Sequence, residues 1–141
     1  MLLLSFLAMY GFMYAMVDSL PNVFGNINQA YMAGLMAAPM GVLELLLMSK
    51  MYPNRKLNVL LIGLSVIAGL MFWLGIRQQS GVGDVQFVRS MIPHHAGALL
   101  MCNEAELNDP ELRQLCESIL SGQQAEIEQM KAIYERLKAG K

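Results

Sequence analysis

The sequence predicts an all-α protein: three transmembrane helices followed by an extracytoplasmic helical hairpin. Three observations carry this. Apolar residues make up 55% of the chain and charged residues only 15%. Charge is also uneven. Before Arg77 only Asp18, Glu44, Lys50, Arg55 and Lys56 are charged, whereas residues 78–141 hold nine acids and six bases. Finally, the apolar half falls into three runs of near-spanning length, while the polar half shows helical apolar spacing broken once, at Asn108-Asp109-Pro110. The expected layout is a membrane domain over 1–77, with helices at about 2–20, 29–48 and 57–76. A linker follows at 78–83, then a hairpin over 84–141. The outer half is mildly acidic and has no Lys/Arg stripe, so no nucleic-acid partner is expected.

The first run, from Leu2 to Val17, reaches spanning length only if Leu20 is included, because a bilayer core needs about 20 apolar residues. A cleaved signal peptide would carry basic residues ahead of the run and small ones at its end. Here no Lys or Arg precedes it and Met and aromatic residues occupy its end, so a retained span is expected. Asn22, Gly25, Asn26 and Asn28 make a polar turn. The second run contains Pro39, which kinks a helix but is tolerated where neighbours satisfy the freed carbonyl. Pro53-Asn54 marks the next loop. Gly63, Ser65, Gly69 and Gly75 allow close helix packing in the third run. Lys50, Arg55 and Lys56 share the second loop, which is therefore placed in the cytoplasm, with Arg77 as a single contrary charge. The expected location is a bacterial inner membrane, N-terminus in the cytoplasm and hairpin in the periplasm or outside.

Thirteen methionines are many for this length. Met serves as a flexible apolar filler, and its thioether also suits soft Cu(I) or Ag(I). Met9, Met13 and Met16 lie within about 60° of one another on a helix. Met32, Met36, Met40, Glu44 and Met48 repeat every four residues, a stripe that winds about 40° per step. Packed or lipid-facing surface is the plainer reading of that stripe. A membrane pathway through Met32, Met36, Met40 and Glu44 is the functional one, since an ionisable residue at membrane depth is a candidate by default.

In the outer half, Asp84 is placed to cap a helix that runs to about Leu107, with Pro93 inside it. Asp109 as N-cap, Pro110 at the first helical position and Glu111 in the first turn start the last helix, which ends near Leu137 before Gly140. Folding the hairpin about Asp109 pairs Cys102 with Cys116, His94 with Gln124, His95 with Gln123, Met91 with Ile127 and Asp84 with Tyr134. It also brings Glu126, Glu128 and Met130 near the histidines. The two cysteines are read first as a disulfide, given an oxidising compartment. Buried thiols and thiolate ligands remain open.

His94 and His95 are the only histidines, and neighbours on a helix point about 100° apart. They cannot share one face. One is expected to face its own hairpin and the other a second subunit. A lone helical His is more often structural than a ligand. Here Met91, His94 and Met101 share a face, and imidazole with thioether or thiolate suits Cu(I) or Ag(I), with zinc or Cu(II) also possible for imidazole.

Met91-Ile92-Pro93-His94-His95, the following Ala-Gly-Ala, Met101, and then Gln124-Ala125-Glu126-Ile127-Glu128-Gln129-Met130 resemble the family called domain of unknown function number three hundred and five. The resemblance covers about residues 84–137. It implies a ferritin-like four-helix bundle and kinship with copper-binding CopM-type proteins of the periplasm. It makes His94, His95, Met91, Met101 and Met130 the copper-ligand candidates. Asp84 and Gln124 become further motif positions, while Glu126, Cys102 and Cys116, which the hairpin brings near, remain further ligand or supporting candidates. The chain departs from larger members in having one hairpin and a three-span anchor. Two helices bury little core, so a homodimer is expected to complete the bundle.

The expected function is a membrane-anchored Cu(I)/Ag(I)-binding protein for metal tolerance or handover to an unidentified donor or acceptor protein, and not an enzyme. Rival readings are a homo-oligomeric metal channel using the Met-rich spans, a metal-dependent oxidase, and a structural bundle without metal.

Overall fold

Helices account for most of this chain. In the computed structural model, which describes residues 1–140, the order is α1 (Leu2–Phe12), two short 3-10 turns (Met13–Met16 and Leu20–Asn22), α2 (Ile27–Leu47), α3 (Arg55–Gln78), α4 (Asp84–Glu104) and α5 (Pro110–Lys138). No strand is found among the described residues. The chain divides into two units. One contains Met1–Met13 and Ile27–Gly81, the other Tyr14–Asn26 and Val82–Lys141.

In the first unit α1 packs on α2 and α2 on α3. Small residues set the α2–α3 approach. A Cβ on Gly34 would lie 2.6 Å from the Phe72 ring, and one on Gly75 would lie 3.1 Å from the ring of Tyr31. Tyr31 also donates to the Ser80 carbonyl at 2.7 Å, closing the end of α3. That end is a left-handed cap at Gln79, with φ of 49°. Pro39 lies within α2 without ending it, as expected of a span. At the start of α3, Asn54 caps through its side chain, accepting from the Leu57 N–H at 3.1 Å.

Two of the three expected spans have spanning length. α2 and α3 are long and apolar enough to cross a membrane, but the first apolar stretch gives a helix of only 11 residues. At about 1.5 Å per residue, α1 covers roughly 17 Å, short of a hydrocarbon core of about 30 Å. A 3-10 turn extends it to Met16. The run to Leu20 does not stay helical because Val17 finds an apolar partner elsewhere, and Pro21 removes a backbone donor.

That partner is the second unit. α4 and α5 form an antiparallel hairpin around Val88, Ile92, Ala96, Leu99 and Ile127. Ile92 and Ile127 are its largest fully buried side chains. The segment Tyr14–Asn26 lies on this core as a strap. Val17 and Phe24 pack against the cluster, and the Phe24 ring meets Tyr134 edge-on, with centroids 5.3 Å apart. Tyr14 ties the strap by donating to the Phe24 carbonyl at 2.9 Å. Asn22 is buried and donates to Asp18 and Ser19 at 2.6 and 3.1 Å. Gly97 leaves room for the strap, since a Cβ there would stand 3.4 Å from the Met16 carbonyl oxygen.

Two helix boundaries differ from expectation. Gly83, not Asp84, is the N-cap of α4, and Asp84 sits in the first turn, where a carboxylate still favours the helix dipole. α4 stops at Glu104 instead of Leu107, because Ala105 turns extended and the chain must reach Asp109. Asp109 caps α5 as expected, accepting from the Leu112 N–H at 2.9 Å.

Candidate metal centre

α4 presents the His-His segment with its two rings in different roles. His95 is turned inward and only 8% exposed. Its Nδ1 lies 2.9 Å from the Met91 carbonyl oxygen, one turn back, and its Nε2 lies 2.8 Å from Glu126 Oε2 on α5. Both ring nitrogens are thus taken up by oxygen partners within the hairpin. In this arrangement neither nitrogen is open to a metal. Glu126 reaches this position from the hairpin surface, with its side chain 58% exposed.

His94 faces the other way. It is exposed, and its ring stands 6.0 Å from that of His95 at an interplanar angle of 63°. No hydrogen bond occupies its nitrogens among the described residues. Met101, two turns on, is exposed, and Met91, one turn back, is half-buried. His94 and Met101 are about 20° apart around the helix and Met91 about 60° away. The free imidazole therefore shares one side of α4 with two methionines, Met101 lying about 10 Å further along the helix axis.

The remaining candidates disperse. Met130 packs against the apolar core. Gln124 donates to Glu128 Oε1 at 3.0 Å on the exposed side of α5. Asp84 is exposed ten residues before His94 along α4. Cys102 and Cys116 are joined in a disulfide with Cα atoms 5.4 Å apart, so in this form neither sulfur is a thiolate ligand. Gln123, expected opposite His95, is half-buried, and its Oε1 is buried without a hydrogen-bond partner. Glu126 takes the expected place for a geometric reason. Side chains lean towards the N-terminus of their own helix. On an antiparallel pair, His95 and Glu126 lean towards each other across about one turn.

The residues of the suggested membrane pathway lie in the other unit. Met32, Met36 and Met40 are exposed along α2. Glu44 is not an open station, because Tyr52 donates to its Oε1 at 3.0 Å. That hydrogen bond, then the carboxylate charge, then slight desolvation raise the Tyr52 phenol above its usual range.

Among the described residues, no group of three or more His, Cys, Asp and Glu side chains converges to hold a metal. The donors that do share a face, one imidazole and thioethers, fit a soft monovalent ion better than a carboxylate-bound one. Sequence reading identified His94, Met91 and Met101 as a face. It did not identify the strap against Gly97, since nothing in the spacing of residues 14–26 announces a partner so distant in sequence.

Residues 77–139 match the family model described as "Domain of unknown function (DUF305)". The chain is also 31% identical over 141 residues to "Uncharacterized protein L153" of Acanthamoeba polyphaga mimivirus, covering 98% of this chain and 91% of that protein. No solved structure matches at a significant level. The relative covers nearly the whole length, so the chain belongs to one family with that viral protein, and its residues 77–139 carry the match to the domain of unknown function DUF305.

Proposed function

We propose that the protein is a membrane-anchored Cu(I)/Ag(I)-binding protein that holds the ion on the outward face of α4, for metal tolerance or handover. The observation that carries this reading is the division of labour between the histidines. His95 is spent on the Met91 carbonyl and Glu126, while His94 keeps its nitrogens free beside Met91 and Met101. Thioether and imidazole are soft to borderline donors suited to Cu(I) and Ag(I). An exposed set of few ligands favours exchange over storage.

Anchoring is supported by α1, α2 and α3, whose large apolar side chains remain exposed, including Leu60, Ile67, Met71 and Trp73. Helices apolar all round belong in lipid. The finer reading has α1 crossing as a third span and the hairpin outside the cytoplasm. A second copy would complete a four-helix bundle over Phe87, Leu112 and Leu115, which α4 and α5 leave exposed.

The test is a Cu(I) titration of the detergent-solubilised full chain against a chromophoric chelator, with ascorbate as reductant. The wild type is expected to compete for Cu(I), and His94→Ala to lose it while keeping its helix content. Absence of Cu(I) uptake by the wild type would end this reading.

A further inference from the structure

The strap carries a thioether to the edge of the same face. Gly97 is buried, and a Cβ there would come within 3.4 Å of the Met16 carbonyl oxygen. His94 lies three residues before Gly97 and Met101 four after it, the two spacings that put helix side chains on one face. Around the helix, Met101 is about 40° and His94 about 60° from Gly97, on the same side. The backbone of Met16 thus runs along the border of the His94–Met101 face. Its side chain does not disappear into the core, being 54% exposed. Three rotatable bonds and a polarisable sulfur let such a side chain reach a neighbouring site.

The strap is fixed, which distinguishes Met16 from a methionine on a loose loop. Phe24 against Tyr134, Val17 against the hairpin core, and the Asn22 hydrogen bonds to Asp18 and Ser19 hold it on both sides of Leu20. Met16 is therefore delivered to α4 by packing that does not involve a metal. We propose that Met16 supplies a further thioether to the ion held by His94 and Met101, so that the site is built from the strap as well as the hairpin. The proposal rests on the copper reading above.

It explains two features that reading leaves aside. The Ala96-Gly97 pair after the histidines consists of small residues, both buried, where α4 would otherwise carry longer side chains. The first apolar stretch leaves its helix early, and so brings a methionine to α4. A donor set of one imidazole and two or three thioethers is neutral and soft, which selects a monovalent soft ion over Zn2+.

The experiment compares wild type, Met16→Leu, Gly97→Leu and a control, Met36→Leu, on the full chain in detergent. The readouts are Cu(I) competition and X-ray absorption at the copper edge. Met16→Leu keeps volume and apolarity and removes the thioether. It is expected to lower the Cu–S coordination by one sulfur per copper and weaken binding at least about 10-fold, the scale of losing even a supporting partner of a ligand. Gly97→Leu removes no donor residue but pushes the strap, and Met16 with it, away from α4, and is expected to have the same effect on both readouts. Met36→Leu is expected to change neither. Unchanged Cu–S coordination and affinity in Met16→Leu would overturn the proposal, whatever Gly97→Leu does to folding. If His94→Ala abolishes binding while Met16→Leu leaves it intact, this inference fails and the copper reading stands. A wild type that takes up no Cu(I) overturns both.

Discussion

The two adjacent histidines show what one helical step does. A rotation of about 100° separates a ring in the hairpin interface from a ring in solvent. That difference was legible in the sequence, because no helix can present both neighbours to one partner. The identity of the inner partner was not, since register counted from the turn gives Gln123 and side-chain lean selects Glu126. The His95–Glu126 contact combines a buried ring with a half-solvated carboxylate. A hydrogen bond to a charged group contributes about 1.5–3 kcal/mol, and exposure of Glu126 reduces that towards about 1 kcal/mol. Glu126→Ala is expected to destabilise the hairpin by about that amount, with a lowered thermal midpoint by circular dichroism. Its Cu(I) stoichiometry is expected to stay that of wild type, because His94 and the thioethers are untouched. Loss of copper in Glu126→Ala would instead make the His95–Glu126 pair part of the site.

At the scale of elements, the α4–α5 hairpin is well specified and the first apolar stretch is not. Asp109 caps α5 and Pro110 starts it, as their chemistry requires. Cys102 and Cys116 were spaced to meet across the turn, and they do. The stretch from Leu2 to Leu20 looks like one element by composition alone. It divides because residues 14–26 pack Val17 and Phe24 against the hairpin core and bury Asn22, a tertiary preference invisible to local periodicity. The disulfide closes a loop with a sequence separation of 14 residues. Chain-entropy reasoning gives about 3 kcal/mol for a loop of that size. The double variant Cys102→Ser/Cys116→Ser is therefore expected to unfold at a clearly lower denaturant concentration than wild type. It is also expected to bind the same number of Cu(I) ions, since the bonded sulfurs are not donors. Fewer ions bound by this folded variant would return the cysteines to the ligand set.

At the scale of the whole molecule, the question is how many times the chain crosses the membrane. The strap joins α1 to α2 and packs within the same unit as the hairpin, so both must lie on one side. α2 and α3 are each long enough to cross, and two crossings return the chain from the strap to the hairpin side as this requires. On the proposed membrane reading, the loop with Lys50, Arg55 and Lys56 would lie on the opposite side, and its excess of basic residues would make that side the cytoplasmic one. α1 is the undecided element. With its 3-10 extension it covers roughly 25 Å, from about 1.5 Å per α-helical and 2.0 Å per 3-10 residue, so a crossing requires local thinning of the bilayer. Single cysteines placed at Leu3, Leu20, Met51 and Gln129, in the Cys102→Ser/Cys116→Ser background, separate the alternatives by labelling with a membrane-impermeant maleimide in sealed vesicles of known orientation. Leu20→Cys and Gln129→Cys are expected to react from the outside and Met51→Cys only from the cytoplasmic side. Labelling of Leu20→Cys together with Met51→Cys would contradict the strap. Leu3→Cys decides the third span: reaction from the cytoplasmic side means that α1 crosses, and reaction from the outside means that it lies in the outer leaflet with its end near the strap.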